Sequence, residues 1–200
     1  MFTGIITATG KITQVQPLAE GVRLTVAAPK LGLANVAIGD SIAHQGVCLT
    51  VIAKKGNSYQ IDVSRETLNC TVGLDAKGGE VNLEKAMRLS DFIGGHLVSG
   101  HVDGVGEVVK FEPIGESHEL VVKAPKKLAK YIARKGSVTV DGVSLTTNRT
   151  GGKGGREFSI NLIPHTVEVT TLKRLEAGSR VNLEVDLIAR YVERMLNGRA

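Results

Sequence analysis

Apolar and polar residues alternate over short stretches of the chain, the pattern of strands with one face in a core and the other in solvent. Gly, Pro and Asn, which favour turns, separate these stretches. In the first half of the chain the alternation predicts six short strands, at residues 10–15, 22–27, 41–43, 47–52, 59–63 and 81–83. Such evenly spaced short strands favour a small barrel or sandwich, and closure into a barrel leaves no free sheet edge.

The second half of the chain repeats the first. Residues 3–50 and 99–146 align without a gap at an offset of 96, and 15 of these 48 positions are identical. The strongest match pairs GDSIAHQGVCLTV at 39–51 with KGSVTVDGVSLTT at 135–147. Farther along the register slips slightly, and VNLE occurs at both 81–84 and 181–184. Two copies are too few for a solenoid, so each copy is predicted to be a small closed β domain.

The expected organisation is therefore a first domain at residues 1–96, a second at 97–184 and a tail at 185–200. Short helices that begin at a proline are predicted at 29–33 and 125–134. In the tail, Val185, Ile188, Val192 and Met195 follow the 3-4-3 spacing of one helix face. A helix this short must pack on something. The tail helix packs either on the barrels of its own chain or on the same helix of other chains in an oligomer. The oligomer is the more specific hypothesis.

Composition narrows the function classes. The net charge of +5 invites a nucleic-acid interpretation, but the basic residues are scattered and seven aromatic residues are too few for a stacking platform. No apolar run is long enough to span a bilayer, and MFTGII does not resemble a signal peptide. Cys48 and Cys70 form no disulfide framework, which favours a reducing, cytoplasmic location. TGGKGGR at 150–156 lacks the Ser or Thr of a P-loop and is interpreted as a hairpin loop.

The strongest candidate chemistry lies in the repeated strand. Cys48 aligns with Ser144, so a polarisable atom recurs at one position in both copies. Thr50 and Thr146 follow two residues later and therefore point the same way in a strand. Together these side chains could hydrogen-bond to the polar edge of a ligand. The alternative is that the hydroxyls bond within the protein and that Cys48 is only a small buried side chain.

Two histidines lie in GGHLVSGHVDG at 94–104. The sequence supplies no further ligands for a metal site there, so zinc is rejected. His101 aligns with Ile5 and is therefore not required by the shared fold, which makes it a candidate for acid–base chemistry. For His96 a turn or capping role is preferred. Asp186 begins the tail helix, where capping is the alternative to a functional role.

The sequence closely resembles the riboflavin synthase family, α-chain type. The resemblance covers the whole chain and rests on MFTGII, GVCLTV, ETL at 66–68, GGHLVSGHVDG, KGSVTVDGVSLT, LIPHT at 162–166 and NLEVDLIARYVERML, in that order. It implies two six-stranded Greek-key β-barrels and a C-terminal helix through which three chains assemble. It also implies a dismutation of two 6,7-dimethyl-8-ribityllumazine molecules to riboflavin and 5-amino-6-ribitylaminouracil, without cofactor or metal, at a site between subunits. Association with lumazine synthase is left open.

The resemblance also implies the site residues, matched position by position. The first-barrel pocket takes Gly4, Ile5, Ile6, Ser41, Cys48, Leu49, Thr50, Asp62, Val63, Ser64, Arg65, Glu66 and Thr67. The second-barrel pocket takes Gly100, His101, Val102, Lys135, Ser144, Leu145, Thr146, Asn161, Leu162, Ile163, Pro164, His165 and Thr166. Phe2 is expected to reach a neighbouring site. The chemistry is assigned to Cys48, His101 and Ser144, with Thr146 and Asp186 in support. Which of them is the base stays open.

Two departures from the family pattern, His44-Gln45 and Asn69-Cys70, are expected at turns or edges. The nearest rival function is a lumazine- or flavin-binding antenna protein of the same fold without catalysis. The intact second-repeat motifs GHVDG, DGVSLT and IPHT favour the enzyme. A flavin reductase would need a nicotinamide-binding domain, for which two barrels leave no room. A purely structural β protein would not explain the pairing of Cys48 with Ser144.

Overall fold

Twelve strands account for most of the chain in the computed structural model, which describes residues 1–197. The strands of the first repeat are β1 (Ala8–Leu18), β2 (Gly21–Ala27), β3 (Ser41–His44), β4 (Val47–Lys55), β5 (Ser58–Ser64) and β6 (Glu80–Lys85). Those of the second are β7 (Gly104–Ile114), β8 (Ser117–Lys123), β9 (Ser137–Val140), β10 (Val143–Gly151), β11 (Glu157–Leu162) and β12 (Arg180–Val185). All six strands predicted for the first half of the chain are confirmed, and each is somewhat longer than predicted.

Each set of six strands closes into an antiparallel barrel. The first has the order β1-β2-β5-β4-β3-β6, and the second has the equivalent order. The non-consecutive neighbours make each barrel a Greek key, as the resemblance implied. Inward-facing residues fill two separate cores; in β4, Val47, Leu49 and Val51 point inward while Cys48 and Thr50 point outward. The alternation that predicted strands thus also separates core from outer face.

Four short α-helices connect or follow the strands: α1 (Arg65–Cys70), α2 (Lys126–Ala129), α3 (Pro164–Val169) and α4 (Leu187–Asn197). The helix predicted at 29–33 is wrong: a turn occupies this segment, where Gly32 has a left-handed φ of 70°, and only a 3-10 turn follows at Leu33–Asn35. The helix predicted at 125–134 shrinks to α2. Residues 152–156 connect β10 to β11, as predicted for a hairpin loop, while Thr150 and Gly151 still belong to β10. Among the described residues, no helix has the length and apolarity needed to cross a membrane.

The tail helix begins later than its apolar spacing predicted. Val185 belongs to β12 and is buried, so it is not part of the helix face. The last three residues of the predicted tail, 198–200, lie outside the described residues. Polar residues attach α4 to the second barrel, because Glu193 contacts Lys130 and Tyr131, and Arg190 bonds Asp103 at 2.8 Å. The apolar side chains of α4, Ile188, Tyr191, Val192, Met195 and Leu196, are exposed.

The two barrels meet at their equivalent hairpin turns. A Cβ added to Gly46 would lie 2.9 Å from the nitrogen of Gly142, and one added to Gly142 would lie 2.7 Å from the nitrogen of Gly46. Around this contact, the side-chain amide of Asn82 donates to the carbonyl of Asp141 (3.0 Å), and that of Asn182 donates to the carbonyl of Gln45 (3.0 Å). The junction therefore relates the repeats by a local two-fold arrangement.

One polar pair interrupts the first core. His44 is wholly buried, with Nε2 2.6 Å from the hydroxyl of Tyr59 and Nδ1 3.0 Å from the carbonyl of Ile42. Burial lowers the pKa of His44 to about 3, so the ring is neutral in the folded protein. The second barrel has Val140 and Phe158 at the equivalent places. The expectation that His44-Gln45 sits at a turn or edge is wrong for His44, which is a core residue.

Candidate functional site

The outer faces of β4 and β10 present the aligned polar residues in the same setting. Cys48 lies opposite Ala43 on β3, and Ser144 lies opposite Thr139 on β9. Thr50 pairs with Ser41 in the same way that Thr146 pairs with Ser137. The side chains of Leu49 and Leu145 point into the barrel cores, and so do those of Val63 and Leu162. These four can offer a ligand only their main chain.

The end of β5 lies beside the start of β4. The antiparallel register sets Val51 opposite Ile61, and the second barrel sets Thr147 opposite Ile160. The pocket residues that follow β5 and β11 begin the helices α1 and α3. Ser64 caps α1 by accepting from the N–H of Thr67 at 3.1 Å. The predicted set from Ser64 to Thr67 is therefore a capped helix start, which is more rigid than a loop.

The N-terminal segment, residues 1–7, is termed the first arm; it leaves its own barrel and lies against the other. The carbonyl of Gly4 accepts from the N–H of Ser144 at 2.8 Å. Ile6 packs against the core of the second barrel. The contact with Ser144 is close because a Cβ on Gly4 would lie 2.6 Å from that of Ser144, and Gly4 has a φ of 75°. Glycine is required there on both counts.

Residues 97–103, termed the second arm, make the reciprocal crossing. The carbonyl of Gly100 accepts from the N–H of Cys48 at 2.8 Å, and Val102 packs against the core of the first barrel. A Cβ on Gly100 would lie 2.7 Å from that of Cys48, and its φ is 78°. Each arm thus completes the outer face of the opposite barrel.

This crossing corrects the two predicted pockets. Gly4 lies beside Ser144 and Ile6 against the second core, not beside Cys48, while Ile5 between them is exposed. Gly100 lies beside Cys48 and Val102 against the first core, not beside Ser144, while His101 between them is exposed. We call these groups the second-barrel site (first arm, Ser144, Thr146 and residues 161–166) and the first-barrel site (second arm, Cys48, Thr50 and residues 62–67). Sequence alignment could not reveal the exchange, because it matches each arm to its own repeat.

His96 is the residue that sequence reasoning misjudged. Its Nδ1 lies 2.7 Å from the hydroxyl oxygen of Ser144, so its role is not confined to a turn. Burial lowers the pKa of His96, while the nearby charge of Asp186 acts in the opposite direction. The ring can approach because the preceding residue, Gly95, would place a Cβ 2.8 Å from that hydroxyl. The GGH motif carried this signal, since only small residues let a backbone come so close.

The other histidine of this segment stands apart from Ser144. His101 is exposed; its N–H donates to Glu184 (3.0 Å) and its carbonyl accepts from Arg190 (3.2 Å). The carboxylate of Asp186 accepts from the N–H of Ile188 at 2.9 Å, one residue into α4. Asp186 therefore caps the helix, the alternative considered from the sequence, and it also acts electrostatically on His96.

Three further predicted residues have distinctive surroundings. Both carboxylate oxygens of Asp62 accept hydrogen bonds from the guanidinium of Arg23, at 2.8 and 2.9 Å, and these bonds lower the pKa of the carboxyl. Lys135 has a left-handed φ of 65°, where the first repeat has Gly39 (φ 95°). Phe2 is fully buried in its own chain, where it packs with Val98 and against the half-buried Cys48 of the first-barrel site.

A cleft of about 660 Å³ lies beside these sites but does not coincide with them. Its lining includes Ile5 and Ser41 from the predicted set, but neither Cys48 nor Ser144. The repeats instead share the same geometry at Cys48 and Ser144, each of which donates its N–H to a glycine of the opposite arm. Within residues 1–197, no three His, Cys, Asp or Glu side chains lie close enough to form a metal site.

Comparison with known proteins agrees with this duplicated geometry. Residues 3–86 and 99–186 each match the lumazine binding domain. The chain is 47% identical over 197 residues to the riboflavin synthase of Photobacterium phosphoreum, with 98% of this chain and 89% of that protein covered. It is 43% identical to the riboflavin synthase of Mycobacterium bovis (strain ATCC BAA-935 / AF2122/97), with 98% of both chains covered.

Solved structures show the same fold. LumP complexed with 6,7-dimethyl-8-(1'-D-ribityl) lumazine superimposes with a TM-score of 0.80 at 26% identity, covering 92% of this chain and 99% of LumP. LumP complexed with riboflavin gives a TM-score of 0.81 at 27% identity, with the same coverage. Duplicated barrels, paired sites and near full-length similarity to known enzymes lead to one assignment: the chain belongs to the riboflavin synthase family of lumazine-binding proteins.

Proposed function

We propose that each of the two sites binds one molecule of 6,7-dimethyl-8-ribityllumazine. A four-carbon unit passes from one molecule to the other, giving riboflavin and 5-amino-6-ribitylaminouracil. Family membership supports the reaction, and the LumP structure with this lumazine supports the ligand class. The binding residues are those of the first-barrel and second-barrel sites defined above, together with Ser41 and Lys135.

The observation that carries the proposal is a duplicated site with one chemical difference. A reaction between two identical molecules needs both held in a fixed mutual orientation, and orientation supplies much of the rate. The same reaction needs a donor and an acceptor, so the two sites must differ. Ser144 has His96 at hydrogen-bonding distance, whereas the aligned residue in the first barrel is a thiol, Cys48.

This difference suits two separate roles. The C7 methyl of the lumazine is acidic because its anion is delocalised through the ring, and the reaction needs a base for that proton. In the arrangement we propose, the Ser144 hydroxyl and neutral His96 face the molecule that loses the proton. Cys48 and Thr50 face the partner molecule, and His101 lies on the arm beside them. Lys135 and Thr146 bind the molecule in the second-barrel site.

The assembled enzyme in this proposal is a homotrimer, with each reaction centre formed by the first-barrel site of one subunit and the second-barrel site of its neighbour. The exposed apolar face of α4 supports assembly, since its polar face already contacts the second barrel. The division into residues 1–96, 97–184 and 185–200 is kept as part of this proposal, except that Val185 belongs to the second barrel. A cytoplasmic location is included because both cysteines are free thiols.

The decisive experiment mixes purified protein with 6,7-dimethyl-8-ribityllumazine under anaerobic conditions, without added cofactor, and follows riboflavin absorbance. One riboflavin formed per two lumazines consumed is the expected result. Tight binding without turnover would instead indicate an antenna protein of the LumP type. Absence of both binding and turnover would overturn the assignment of the ligand.

Assembly has its own test. Light scattering during gel filtration should give the mass of three 21.2 kDa chains. Ile188→Asp and Val192→Asp place charges on the exposed apolar face of α4 and should yield monomers with low activity. Arg194→Ala, on the same helix, is the control and should leave the trimer intact. A wild-type monomer with full activity would contradict a site shared between subunits.

A further inference from the structure

Two buried carboxylates occupy equivalent places, one near the end of β6 and one near the end of β12. Glu84 is 5% exposed and Glu184 is 2% exposed. A carboxylate is seldom buried this deeply unless hydrogen-bond donors surround it. Burial raises the pKa of Glu84, and the donors of the first arm act against that effect.

Both carboxylates bind an arm. Glu84 accepts from the N–H and hydroxyl of Thr3, both at 2.7 Å, and from the N–H of Gly4 at 2.9 Å. Glu184 accepts from the N–H and hydroxyl of Ser99 at 2.7 and 2.6 Å, and from the N–H of Gly100 at 2.9 Å. Each set clusters several charge-assisted hydrogen bonds on one short segment, which fixes its backbone firmly.

The residues fixed in this way are the ones that reach the opposite barrel. The N–H of Gly4 bonds Glu84 on the first barrel, while its carbonyl accepts from Ser144 on the second. The N–H of Gly100 bonds Glu184 on the second barrel, while its carbonyl accepts from Cys48 on the first. One peptide segment therefore connects a carboxylate of one barrel to the site of the other.

We propose that Glu84 and Glu184 are positioning residues that act across the junction between the barrels. Glu184 sets the geometry of the first-barrel site, and Glu84 sets that of the second-barrel site. This inference rests on the proposed function for the identity of the ligand. The role of the two glutamates in holding the arms is independent of the proposed function, because the position of the arms can be measured without ligand.

The pair of test variants is Glu184→Gln and Glu84→Gln. Glutamine keeps the size of the side chain but removes the charge and turns one acceptor oxygen into a donor that faces the N–H groups of the arm. Loss of charge-assisted hydrogen bonds of this strength corresponds to about a 10- to 100-fold loss in affinity when the arm shapes the site.

A thiol reports on the first-barrel site. Riboflavin should protect Cys48 from alkylation, and the Cys48 peptide can be followed by mass spectrometry. Cys70 also reacts, but Arg65 lies between the two cysteines, so trypsin separates their peptides. Glu184→Gln should raise the half-protecting riboflavin concentration about 10- to 100-fold, whereas Glu84→Gln should change it less than about two-fold.

The reverse experiment moves the thiol. In a Cys48→Ser/Ser144→Cys background, protection of position 144 reports on the second-barrel site. Here Glu84→Gln should weaken protection and Glu184→Gln should not. The crossed pattern separates positioning from a structural role, because a residue that only supports its own barrel would damage the site on that barrel.

Hydrogen exchange without ligand supplies the independent measurement. Glu184→Gln should speed amide exchange at residues 99–101 and at Cys48, and Glu84→Gln should do so at residues 3–4 and Ser144. If the wild-type chain binds neither lumazine nor riboflavin, the proposed function fails while this measurement still decides the positioning role. Unchanged exchange in both arms would overturn the positioning role.

Milder variants cover the case in which a glutamine variant does not fold. Ser99→Ala and Thr3→Ala each remove one hydroxyl bond and leave the carboxylate in place. Ser99→Ala should weaken riboflavin protection of Cys48 several-fold, and Thr3→Ala should leave it unchanged. Equal loss at both sites, loss confined to the same barrel as the glutamate, or no loss at all would each overturn the proposal.

Discussion

The main-chain N–H of Cys48 donates to the carbonyl of Gly100 at 2.8 Å, although the two residues lie in different repeats. The equivalent bond joins Ser144 to Gly4, also at 2.8 Å. Cys48 and Ser144, the two candidate residues for chemistry, are thus each hydrogen-bonded to a glycine of the opposite repeat. A substitution that displaces one arm should therefore alter the site on the opposite barrel, and this effect can be measured directly.

The first prediction concerns the close approach at Gly100. Gly100→Ala combines a left-handed φ of 78° with a Cβ 2.7 Å from that of Cys48, so the arm must shift. We expect a loss of about 1–3 kcal/mol in the free energy of unfolding and weaker ligand binding at the first-barrel site. Chemical denaturation and riboflavin protection of Cys48 measure the two effects.

Gly115→Ala is the matched control for this variant. Gly115 has a φ of 59°, yet no atom lies within 4 Å of its added Cβ. It should show the backbone strain without the loss of ligand binding. If both variants bound riboflavin as the wild type does, the contact between Gly100 and Cys48 would not shape the site.

The second prediction concerns His96. His96→Asn can still place a polar atom near the Ser144 hydroxyl, where Nδ1 lies, but it cannot take up a proton. We expect kcat to fall by about 100- to 10,000-fold with little change in KM. Because burial lowers the pKa of His96, the ring stays neutral below the usual pKa of histidine, and activity should persist into mildly acidic solution.

The pH profile distinguishes this role from a structural one. The acid limb of kcat that reflects protonation of His96 should disappear in His96→Asn. His118→Gln, which alters a histidine stacked on Phe111, serves as the control and should keep the wild-type profile. An unchanged kcat and acid limb in His96→Asn would show that Ser144 works without this partner.

The third prediction uses the strained backbone at Lys135. The first repeat has Gly39 at the equivalent left-handed position, so Lys135→Gly should raise the free energy of unfolding by about 0.5–1 kcal/mol. We expect KM to rise in the same variant, because the ammonium group that we assign to ligand binding is lost. Lys135→Ala should raise KM equally without the gain in stability. A variant that gained stability and kept its KM would remove Lys135 from the site.

The fourth prediction concerns acid stability and the buried pair in the first core. The pKa of His44 is about 3 when folded and near 6.5 in the unfolded chain, so the folded state loses stability as pH falls below about 6.5. The loss approaches about 1.4 kcal/mol per pH unit. His44→Val/Tyr59→Phe copies Val140 and Phe158 of the second barrel, and it should abolish this loss.

Both substitutions are needed, since His44→Val alone would leave the Tyr59 hydroxyl buried without a partner. Asp141 titrates in the opposite sense: burial raises its pKa to about 7, so this carboxyl costs stability as pH rises from about 4 to 7. Asp141 is present in both proteins, so the difference between their urea midpoints from pH 7 to pH 4 isolates the contribution of His44. Parallel curves would contradict the prediction.

The sequence predicted the architecture well because duplication and alternation are local properties of the chain. The strands, the equivalence of Cys48 with Ser144 and the face that they share with Thr50 and Thr146 follow from two-residue periodicity and an offset of 96. Helix boundaries were less predictable. The helix predicted at 29–33 does not form, and Gly32 in that segment has a left-handed φ. Val185, predicted to lie on the tail helix, is the last residue of β12.

The composition of each site was not predictable from one sequence. The pockets inferred from the family resemblance group Gly4 with Cys48 and Gly100 with Ser144, which follows the order along the chain and not the position in space. The exchange depends on where the arms leave the barrels and on buried carboxylates 80 residues or more away. His96 was misjudged for a related reason: it precedes the second arm, and the first repeat has no aligned residue that would have drawn attention to it.

The contact between Gly46 and Gly142 has a consequence for the origin of this chain. Two equivalent turns that touch each other, with arms exchanged around them, form the isologous interface of a two-fold dimer. A single-repeat ancestor could have used the same interface between two separate, identical chains. In such a dimer any mutation changes both sites at once. Two repeats in one chain are free of that constraint, so one site can hold a thiol while the other holds a hydroxyl with a histidine beside it.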